Sequence, residues 1–204
     1  MYVLFYSNTN LLFPLSCHET GELYLEDNLL TGTLHTEYGQ IASLRDFFIG
    51  TNKFTGTIPN EIGNLQELRA LGMDENLLTG QIPNLWECKN ILILYLDSNQ
   101  LTGTISPNIK NLSELIDLRL RKNSLTGIIP EEINELTHME LFYVDDNKLG
   151  GNLPANWGLM TRLQEIQVYK NELTGVLPES ISSLKDLSKF IFTERESNEN
   201  PTFV

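Results

Sequence analysis

The sequence predicts an α/β solenoid in which coils of about 24 residues stack, with a parallel β-sheet along one side and short helical segments along the other. The first observation is an asparagine that recurs with gaps of 24, 24, 23, 24, 24 and 24 residues, at Asn28, Asn52, Asn76, Asn99, Asn123, Asn147 and Asn171. The second is a pair of apolar columns before each asparagine, and the third is a glycine four residues after it. A repeat of this length indicates stacked units rather than one globular core.

The two apolar columns predict one short β-strand in every coil. Their members are two residues apart, which is the spacing of side chains on one face of a strand, so both columns should point into the solenoid. One column is Leu23, Phe47, Leu71, Leu94, Leu118, Phe142 and Ile166, and the other is Leu25, Ile49, Met73, Leu96, Leu120, Val144 and Val168. The residue between the two columns should therefore face solvent on the sheet.

Each recurring asparagine should lie where the chain turns out of its strand. Backbone N–H and C=O groups lose their ladder partners at that point, and a side-chain amide offers donors and an acceptor to replace them. A buried amide without partners would cost about 1–3 kcal/mol. We therefore expect the asparagines to be hydrogen-bonded and to stack on identical neighbours from coil to coil.

Glycine and proline mark the second half of each coil. The recurring glycines are Gly32, Gly56, Gly80, Gly103, Gly127, Gly151 and Gly175, and they indicate a positive φ or a close approach of the next coil. In most coils a proline follows three residues later, as at Pro59 and Pro130. Because proline is tolerated in the first turn of a helix and glutamates suit a helix N-terminus, this half of the coil is predicted to be helical.

The composition argues against several classes of function. A net charge of −13 and a pI near 4.6 do not suit nucleic-acid binding, which needs a basic face. Cys17 and Cys88 are too few for a disulfide framework or a zinc site, and Cys88 falls in a leucine column, where we expect a small buried hydrophobic side chain. The three histidines converge on neither a serine nor a metal site. We therefore expect no enzyme activity, no cofactor and no metal.

The repeat pattern divides the chain into three parts. Residues 1–19 are predicted to form an eroded N-terminal coil or a leader, because Val3, Phe5 and Asn8 fit the coil pattern. Residues 20–186 hold seven repeats. Residues 187–204 are predicted to form an incomplete repeat, with Arg195 where an asparagine is due, followed by a frayed tail. The chain contains no run of the ~18 apolar residues that a membrane-spanning helix needs.

The repeated unit resembles the plant-type leucine-rich repeat. Its pattern, L-x-x-L-x-L-x-x-N-x-L-T-G-x-I-P, is nearly intact in residues 68–83 and 115–130. The resemblance implies a right-handed solenoid, with the sheet on the concave side, short helical or 3-10 segments on the convex side, and a second short strand near Thr-Gly-x-Ile-Pro. Such repeats occur in receptor-like kinases, receptor-like proteins and polygalacturonase inhibitors. The paired cap cysteines, membrane helix and kinase domain of those proteins are missing here, which predicts a fragment or a divergent form.

The resemblance also implies a function. It implies a non-catalytic module, receptor-like or inhibitor-like, that recognises a protein or peptide ligand in signalling or defence. A protein related to cell-wall polysaccharide is one such ligand. It places the chain in the extracellular space or at the cell surface, without nucleic-acid binding or membrane insertion by this segment. An intracellular scaffold in the cytoplasm that uses the same sheet is the alternative. An ice-binding surface of repeated threonines is a third interpretation, disfavoured because those threonines belong to the repeat pattern itself.

The solvent-facing positions of the strands form the candidate ligand-binding site. Between the inward columns lie Tyr24, Phe48, Gly72, Tyr95, Arg119, Tyr143 and Gln167. Tyrosine and arginine are enriched at binding hot spots. We predict that the ligand-binding residues are Tyr95, Asp97, Arg119, Arg121, Tyr143 and Asp145. The alternative is that the aromatic residues only pack across strands and the charges only face water.

Two further features accompany this site. Arg119, Arg121 and Lys122 are predicted to form a basic island between the acidic coils that contain Asp97 and Asp145. The single glycosylation sequon, Asn-Leu-Ser, begins at Asn111. This asparagine falls in the half of the coil opposite the sheet, where a glycan would not block the predicted ligand-binding residues.

Overall fold

The computed structural model describes residues 21–193, which form the predicted stack of coils. The strands are β1 (Glu22–Tyr24), β2 (Thr31–Thr33), β3 (Asp46–Phe48), β4 (Lys53–Thr57), β5 (Ala70–Gly72), β6 (Leu77–Gln81), β7 (Ile93–Tyr95), β8 (Gln100–Thr102), β9 (Asp117–Arg119), β10 (Leu141–Tyr143), β11 (Gly150–Gly151), β12 (Glu165–Gln167), β13 (Glu172–Leu173) and β14 (Lys189–Ile191). The coil or leader predicted over residues 1–19 and the position of Arg195 lie outside the described residues, as does Cys17.

A long parallel sheet runs along one side of the stack. Its strand order is β1-β3-β5-β7-β9-β10-β12-β14, and neighbouring strands pair without any shift of register from coil to coil. A second set of short strands flanks it, with β2, β4, β6 and β8 in one parallel sheet and β11 and β13 in another. The solenoid with a concave parallel sheet is confirmed, and so is the second short strand.

The convex side of each coil is a 3-10 turn rather than an α-helix. These segments are Thr36–Gln40, Asn60–Asn64, Leu85–Glu87, Pro107–Asn111, Glu131–Glu135, Trp157–Leu159 and Glu179–Ser183. Segments of three to five residues are too short for a stable ladder of α-helical hydrogen bonds, and the tighter 3-10 turn suits them. Pro59 and Pro130 precede their turns in extended conformation, one residue earlier than the sequence predicts. No helix in the described part of the chain is long and apolar enough to cross a membrane.

The interior is a continuous file of apolar side chains. Both predicted columns point inward, and Leu94, Leu118 and Phe142 are completely buried. Cys88 is also completely buried, its Sγ donates to the carbonyl oxygen of Ile62 at 3.4 Å, and burial raises its pKa to about 11. A thiol in that state is unreactive, so Cys88 serves as a core residue.

The asparagines tie each coil to the one before it. Asn123 shows the pattern: its Nδ2 donates to the carbonyl oxygens of Leu96 at 2.9 Å and Leu120 at 3.1 Å, and its Oδ1 accepts from the backbone N–H of Leu101 at 2.9 Å. Equivalent bonds recur at Asn52, Asn76, Asn99, Asn147 and Asn171. The partners are backbone groups of the preceding coil and of the asparagine's own coil, and not the neighbouring amides on which the asparagines were expected to stack.

Two positions in each coil have a positive φ. The seven recurring glycines have φ between 72° and 102°, as predicted. At Gly127 a Cβ would also approach Thr104 Cγ2 to 2.8 Å, so the backbone conformation and the preceding coil both disfavour a side chain. The residue before each asparagine, for example Lys122 with φ of 53°, is left-handed as well. This second position was not predicted.

Candidate ligand-binding face

One row of side chains runs across the whole concave sheet. Register pairing connects Tyr24, Phe48, Gly72, Tyr95, Arg119, Tyr143, Gln167 and Ile191 on successive strands. We call these residues the central row. Because strands lie about 4.8 Å apart, neighbours in the row are within contact distance. The structure thus brings the predicted residues Tyr95, Arg119 and Tyr143 together.

Arg119 lies between two tyrosine rings. Its Cζ is 4.3 Å from the centroid of the Tyr95 ring and 5.5 Å from that of Tyr143. Asp117 fixes the guanidinium through two hydrogen bonds, from Nε at 3.1 Å and from Nη2 at 2.8 Å. About 31% of the Arg119 side chain remains exposed, so this pre-ordered cation is accessible, whereas Tyr95 is partly buried and Tyr143 is buried.

Carboxylates on the same face accept hydrogen bonds from the tyrosine hydroxyls. The Tyr95 hydroxyl donates to Asp117 Oδ2 at 2.7 Å, and the Tyr143 hydroxyl donates to Glu165 Oε2 at 2.7 Å. Burial, together with the Glu165 partner, raises the pKa of Tyr143 to about 12. Conversely, the Tyr143 hydroxyl is the main cause that lowers the pKa of Glu165, and Lys189 assists at 3.0 Å. Sequence analysis missed Asp117 and Glu165, although both lie two residues before the central row on the same face.

The row beside the central row carries the other predicted residues. Arg121 Nε lies 3.5 Å from Asp97 Oδ2, and Asp97 is almost completely buried. Asp145 is completely buried, and burial raises its pKa against the opposing effects of Tyr169 and Arg121. In the predicted basic island, the charges of Arg119 and Arg121 are therefore balanced, since each faces a carboxylate. Its third member, Lys122, is exposed.

The N-terminal half of the face is aromatic and acidic. The rings of Tyr24 and Phe48 stack with centroids 5.6 Å apart, and the Phe48 ring lies against Gly72. The carboxylate of Asp74 lies against Gly50, where an added Cβ would come within 2.8 Å of it. Burial first, and then Asp97, raise the pKa of the Asp74 carboxyl to about 6.

We expect Asp74→Asn to stabilise the protein at neutral pH but not near pH 4. The pKa of Asp74 rises from 3.8 to about 6 in the folded chain. Ionisation therefore destabilises the fold as pH rises through this window, and the full cost applies above about pH 6. Asparagine removes the charge and should contribute up to about 1 kcal/mol, a value reduced because the side chain is partly solvated. Thermal unfolding of both proteins at both pH values measures the effect.

The matched control for this prediction is Glu67→Gln, which removes an exposed carboxylate from the segment just before β5. It should leave the melting temperature unchanged at either pH, because exposed charges contribute little to stability. An Asp74→Asn effect that is the same near pH 4 and at neutral pH would contradict the assignment.

The remaining candidates lie elsewhere. Asn111 ends the 3-10 turn Pro107–Asn111 on the convex side and is partly buried, and its glycosylation stays a prediction. Nδ1 of His138 lies 3.1 Å from the carbonyl oxygen of Ser113, while His35 precedes the turn that begins at Thr36. Among the described residues, no group of three or more His, Cys, Asp or Glu side chains is placed to hold a metal ion.

Comparison with known proteins agrees with this geometry. The Leucine Rich Repeat family model matches residues 90–112, 114–136 and 162–184. Among solved structures, a TDR receptor superposes with a TM-score of 0.82 at 31% identity, over 84% of this chain and 30% of that one. The leucine-rich repeat ectodomain of the Arabidopsis receptor kinase HAESA, solved with an IDA peptide hormone ligand, has a TM-score of 0.68 at 28% identity, over 88% of this chain and 34% of that one.

A chain of the BIR3–SERK2 complex from Arabidopsis thaliana is similar over 62% of this chain and 68% of its own length, with 32% identity and a TM-score of 0.56. This chain belongs to the leucine-rich repeat family, and its repeats are of the plant type found in receptor-kinase ectodomains. It spans about a third of the TDR and HAESA chains. The sequence has no significant match among curated proteins.

Proposed function

We propose that this chain is the recognition part of a receptor-like or inhibitor-like protein, and that it binds an extended peptide or protein segment across the concave sheet. The observation that carries the proposal is the Tyr95–Arg119–Tyr143 triplet, in which Asp117 fixes the first ring and the guanidinium and Glu165 fixes the second ring. Groups that are ordered before binding lose little conformational entropy when a ligand arrives.

The dimensions of the sheet fit a peptide of moderate length. Eight strands about 4.8 Å apart span about 34 Å, which an extended chain crosses in about ten residues at 3.3 Å each. The proposed contacts from Tyr95, Arg119 and Tyr143 lie near the middle of this path. Asp97, Arg121 and Asp145 border it. Asp97 and Asp145 are buried, so the partly exposed Arg121 would make the direct charged contact with the ligand.

The similar receptor ectodomains support a role in signalling or defence at the cell exterior. The HAESA ectodomain was solved in complex with a peptide hormone ligand, and the present chain shares its repeat architecture. Plant-type repeats in an ectodomain favour an extracellular location, where Asn111 could carry a glycan. The alternative, a cytoplasmic scaffold, would use the same face. Glycosylation of Asn111 in the natural host would favour the extracellular location over the cytoplasmic one.

Selection of binding peptides from a random library tests the proposed function. A displayed library of random peptides is panned on the whole chain, and binders are measured on Tyr95→Ala, Arg119→Ala and Tyr143→Ala variants. We expect each substitution to weaken binding about fivefold to thirtyfold, because each removes an aromatic or arginine anchor worth about 1–2 kcal/mol. Isothermal titration calorimetry gives the dissociation constants.

The control is Leu77→Ala, which truncates an exposed side chain on β6, in the flanking sheet. It should change the dissociation constant less than about twofold, since it lies off the proposed path. Peptides that lose affinity on Leu77→Ala but not on the three central-row variants would show that a different face binds.

A further inference from the structure

One repeat position on the flanking strands lacks its usual side chain. The third residue after the recurring asparagine is a threonine in most coils, at Thr31, Thr55, Thr79, Thr102, Thr126 and Thr174. In the coil of Asn147 this residue is Gly150, which pairs with Ile128 on one side and with Glu172 on the other. The surface of the flanking strands therefore has a gap between Ile128 and Glu172.

This gap is an open depression of about 420 Å³, and its lining includes Gly150, Ile128, Lys148 and Glu172. A Cβ added to Gly150 would have one neighbour from another strand within 4 Å, the backbone oxygen of Glu172 at 3.7 Å. No side chain of a neighbouring strand therefore occupies the space above Gly150, and a side chain of a ligand can reach its backbone. The volume is within the range of small-ligand sites.

An apolar side chain and two charges border the depression. Ile128 is 58% exposed, whereas the equivalent residue of the preceding coil is Thr104. Lys148 and Glu172 are exposed as well, and neither forms an ion pair within the described part of the chain. A side chain that enters the depression would thus meet an apolar wall, a cation and an anion, with both charges available for contact.

The concave face of the same protein shows which side chain suits such a set of groups. The Tyr143 hydroxyl donates to Glu165 at 2.7 Å, and the Arg119 guanidinium carbon lies 5.5 Å from the centroid of the Tyr143 ring. A phenol thus contacts an anion through its hydroxyl and a cation through its ring, and its apolar body could cover Ile128. A charged ligand would be repelled by one of the two charges at the depression. An aliphatic side chain would desolvate both charges without giving either a partner.

The surface around the depression suits a protein partner. The outward positions of the flanking strands lie one, three and five residues after each recurring asparagine, and none of these residues is buried. The only charged residues among them are Lys53, Lys148 and Glu172, although the chain as a whole has a net charge of −13. A protein can approach this nearly neutral face without strong electrostatic repulsion. Tyrosine is among the residues most enriched at the hot spots of protein interfaces.

We propose that the depression at Gly150 is a docking site for a tyrosine side chain of a protein partner, separate from the ligand of the concave sheet. The tyrosine ring packs on the backbone of Gly150 and against Ile128. The Lys148 ammonium contacts the ring, and the tyrosine hydroxyl donates to the Glu172 carboxylate. The inference does not depend on the proposed function, because the depression lies on the flanking strands and not on the concave sheet.

The direct test uses N-acetyl-tyrosinamide as a probe and the isotope-labelled whole chain as target. In an NMR titration we expect the backbone amide signals of Gly150, Gly151 and Glu172 to shift. N-acetyl-phenylalaninamide, which lacks the hydroxyl, should bind at least about threefold more weakly, because the Glu172 carboxylate then has no donor. Equal affinities of the two probes, or no shift with either, would overturn the docking site.

Gly150→Thr fills the depression with the residue that the neighbouring coils carry at Thr126 and Thr174. The variant should fold, because Gly150 does not have a positive φ and a Cβ has room there. We expect it to weaken the tyrosine probe at least about tenfold, since the threonine side chain takes the place of the ring. The control Thr102→Gly opens a gap beside Gln81 that lacks an apolar wall and both charges, and it should leave the titration unchanged.

Glu172→Gln tests the hydroxyl contact separately from the shape of the depression. It should weaken the tyrosine probe at least about threefold and abolish its advantage over the phenylalanine probe. The control Glu179→Gln removes an exposed carboxylate from the convex turn Glu179–Ser183 and should change neither affinity. Thermal unfolding of each variant confirms that it is folded. Undiminished binding of the tyrosine probe to folded Gly150→Thr would place the probe elsewhere and refute the proposal.

Competition with a selected peptide separates this proposal from the proposed function. The peptide used is one that loses affinity on Tyr95→Ala, Arg119→Ala and Tyr143→Ala. The tyrosine probe should shift the signal of Gly150 equally with and without this peptide. If the peptide displaced the probe, a separate docking site would be refuted and the proposed function would stand. A probe that binds at Gly150, with no peptide that needs the central-row triplet, would refute only the proposed function.

Discussion

Replacing Asn123 with alanine is expected to lower the free energy of unfolding by about 3 kcal/mol, because the backbone N–H of Leu101 and the carbonyl of Leu96 then lose a partner in a buried setting. The loss should be large for one polar side chain, since both bonds join successive coils and stacked coils depend on their mutual interfaces. Urea unfolding of the wild type and the variant, followed by circular dichroism, measures the difference.

Asn28 provides the matched control at the exposed end of the same column. Its Nδ2 donates to the carbonyl oxygens of Leu25 and Glu26, which belong to its own coil, and the side chain is exposed. Asn28→Ala should therefore cost less than about 1 kcal/mol, because water can replace these bonds. Equal losses at Asn28 and Asn123 would show that the asparagines act only within their own coils and do not join one coil to the next.

Leu118→Ala is expected to lower the free energy of unfolding by about 3–4 kcal/mol. Leu118 is completely buried at the centre of the stack, and its removal leaves a cavity that fixed neighbouring coils cannot close. Chemical denaturation measures the loss, and the slope of the transition shows whether all coils still unfold together.

The control for this prediction is Leu29→Ala, which truncates a leucine that is 76% exposed. Its effect should stay within about 0.5 kcal/mol, the range of ordinary surface substitutions. A Leu118→Ala loss below about 1 kcal/mol would mean that the coils collapse around the missing side chain and that the interior is not tightly packed.

The period of the repeat explains why so much of the fold can be predicted. Residues equivalent to Leu118 and Asn123 recur at fixed spacing. Because a strand has only two faces, identifying the buried residues also identifies those that face solvent. The left-handed residue before each asparagine could not be predicted in the same way. Residues as different as Asp27, Thr51 and Lys122 occupy it, so no residue type marks a conformation that the surrounding hydrogen bonds impose.

The candidate site was predictable only in part. The alternation of strand residues places Tyr95, Arg119 and Tyr143 in one row, as the sequence predicts. It does not reveal that Asp117 fixes Arg119, because the equivalent position in other coils holds residues such as Ile93. Contacts between neighbouring side chains depend on rotamers, and these emerge only from the packed structure.

A crystal structure of the chain with a selected peptide tests most directly whether the concave sheet recognises the ligand. We predict that the peptide crosses the eight strands in extended form and contacts Tyr95, Arg119 and Tyr143. A peptide seated on the 3-10 turns of the convex side, or on the flanking sheet at β4 and β6, would contradict recognition by the concave sheet.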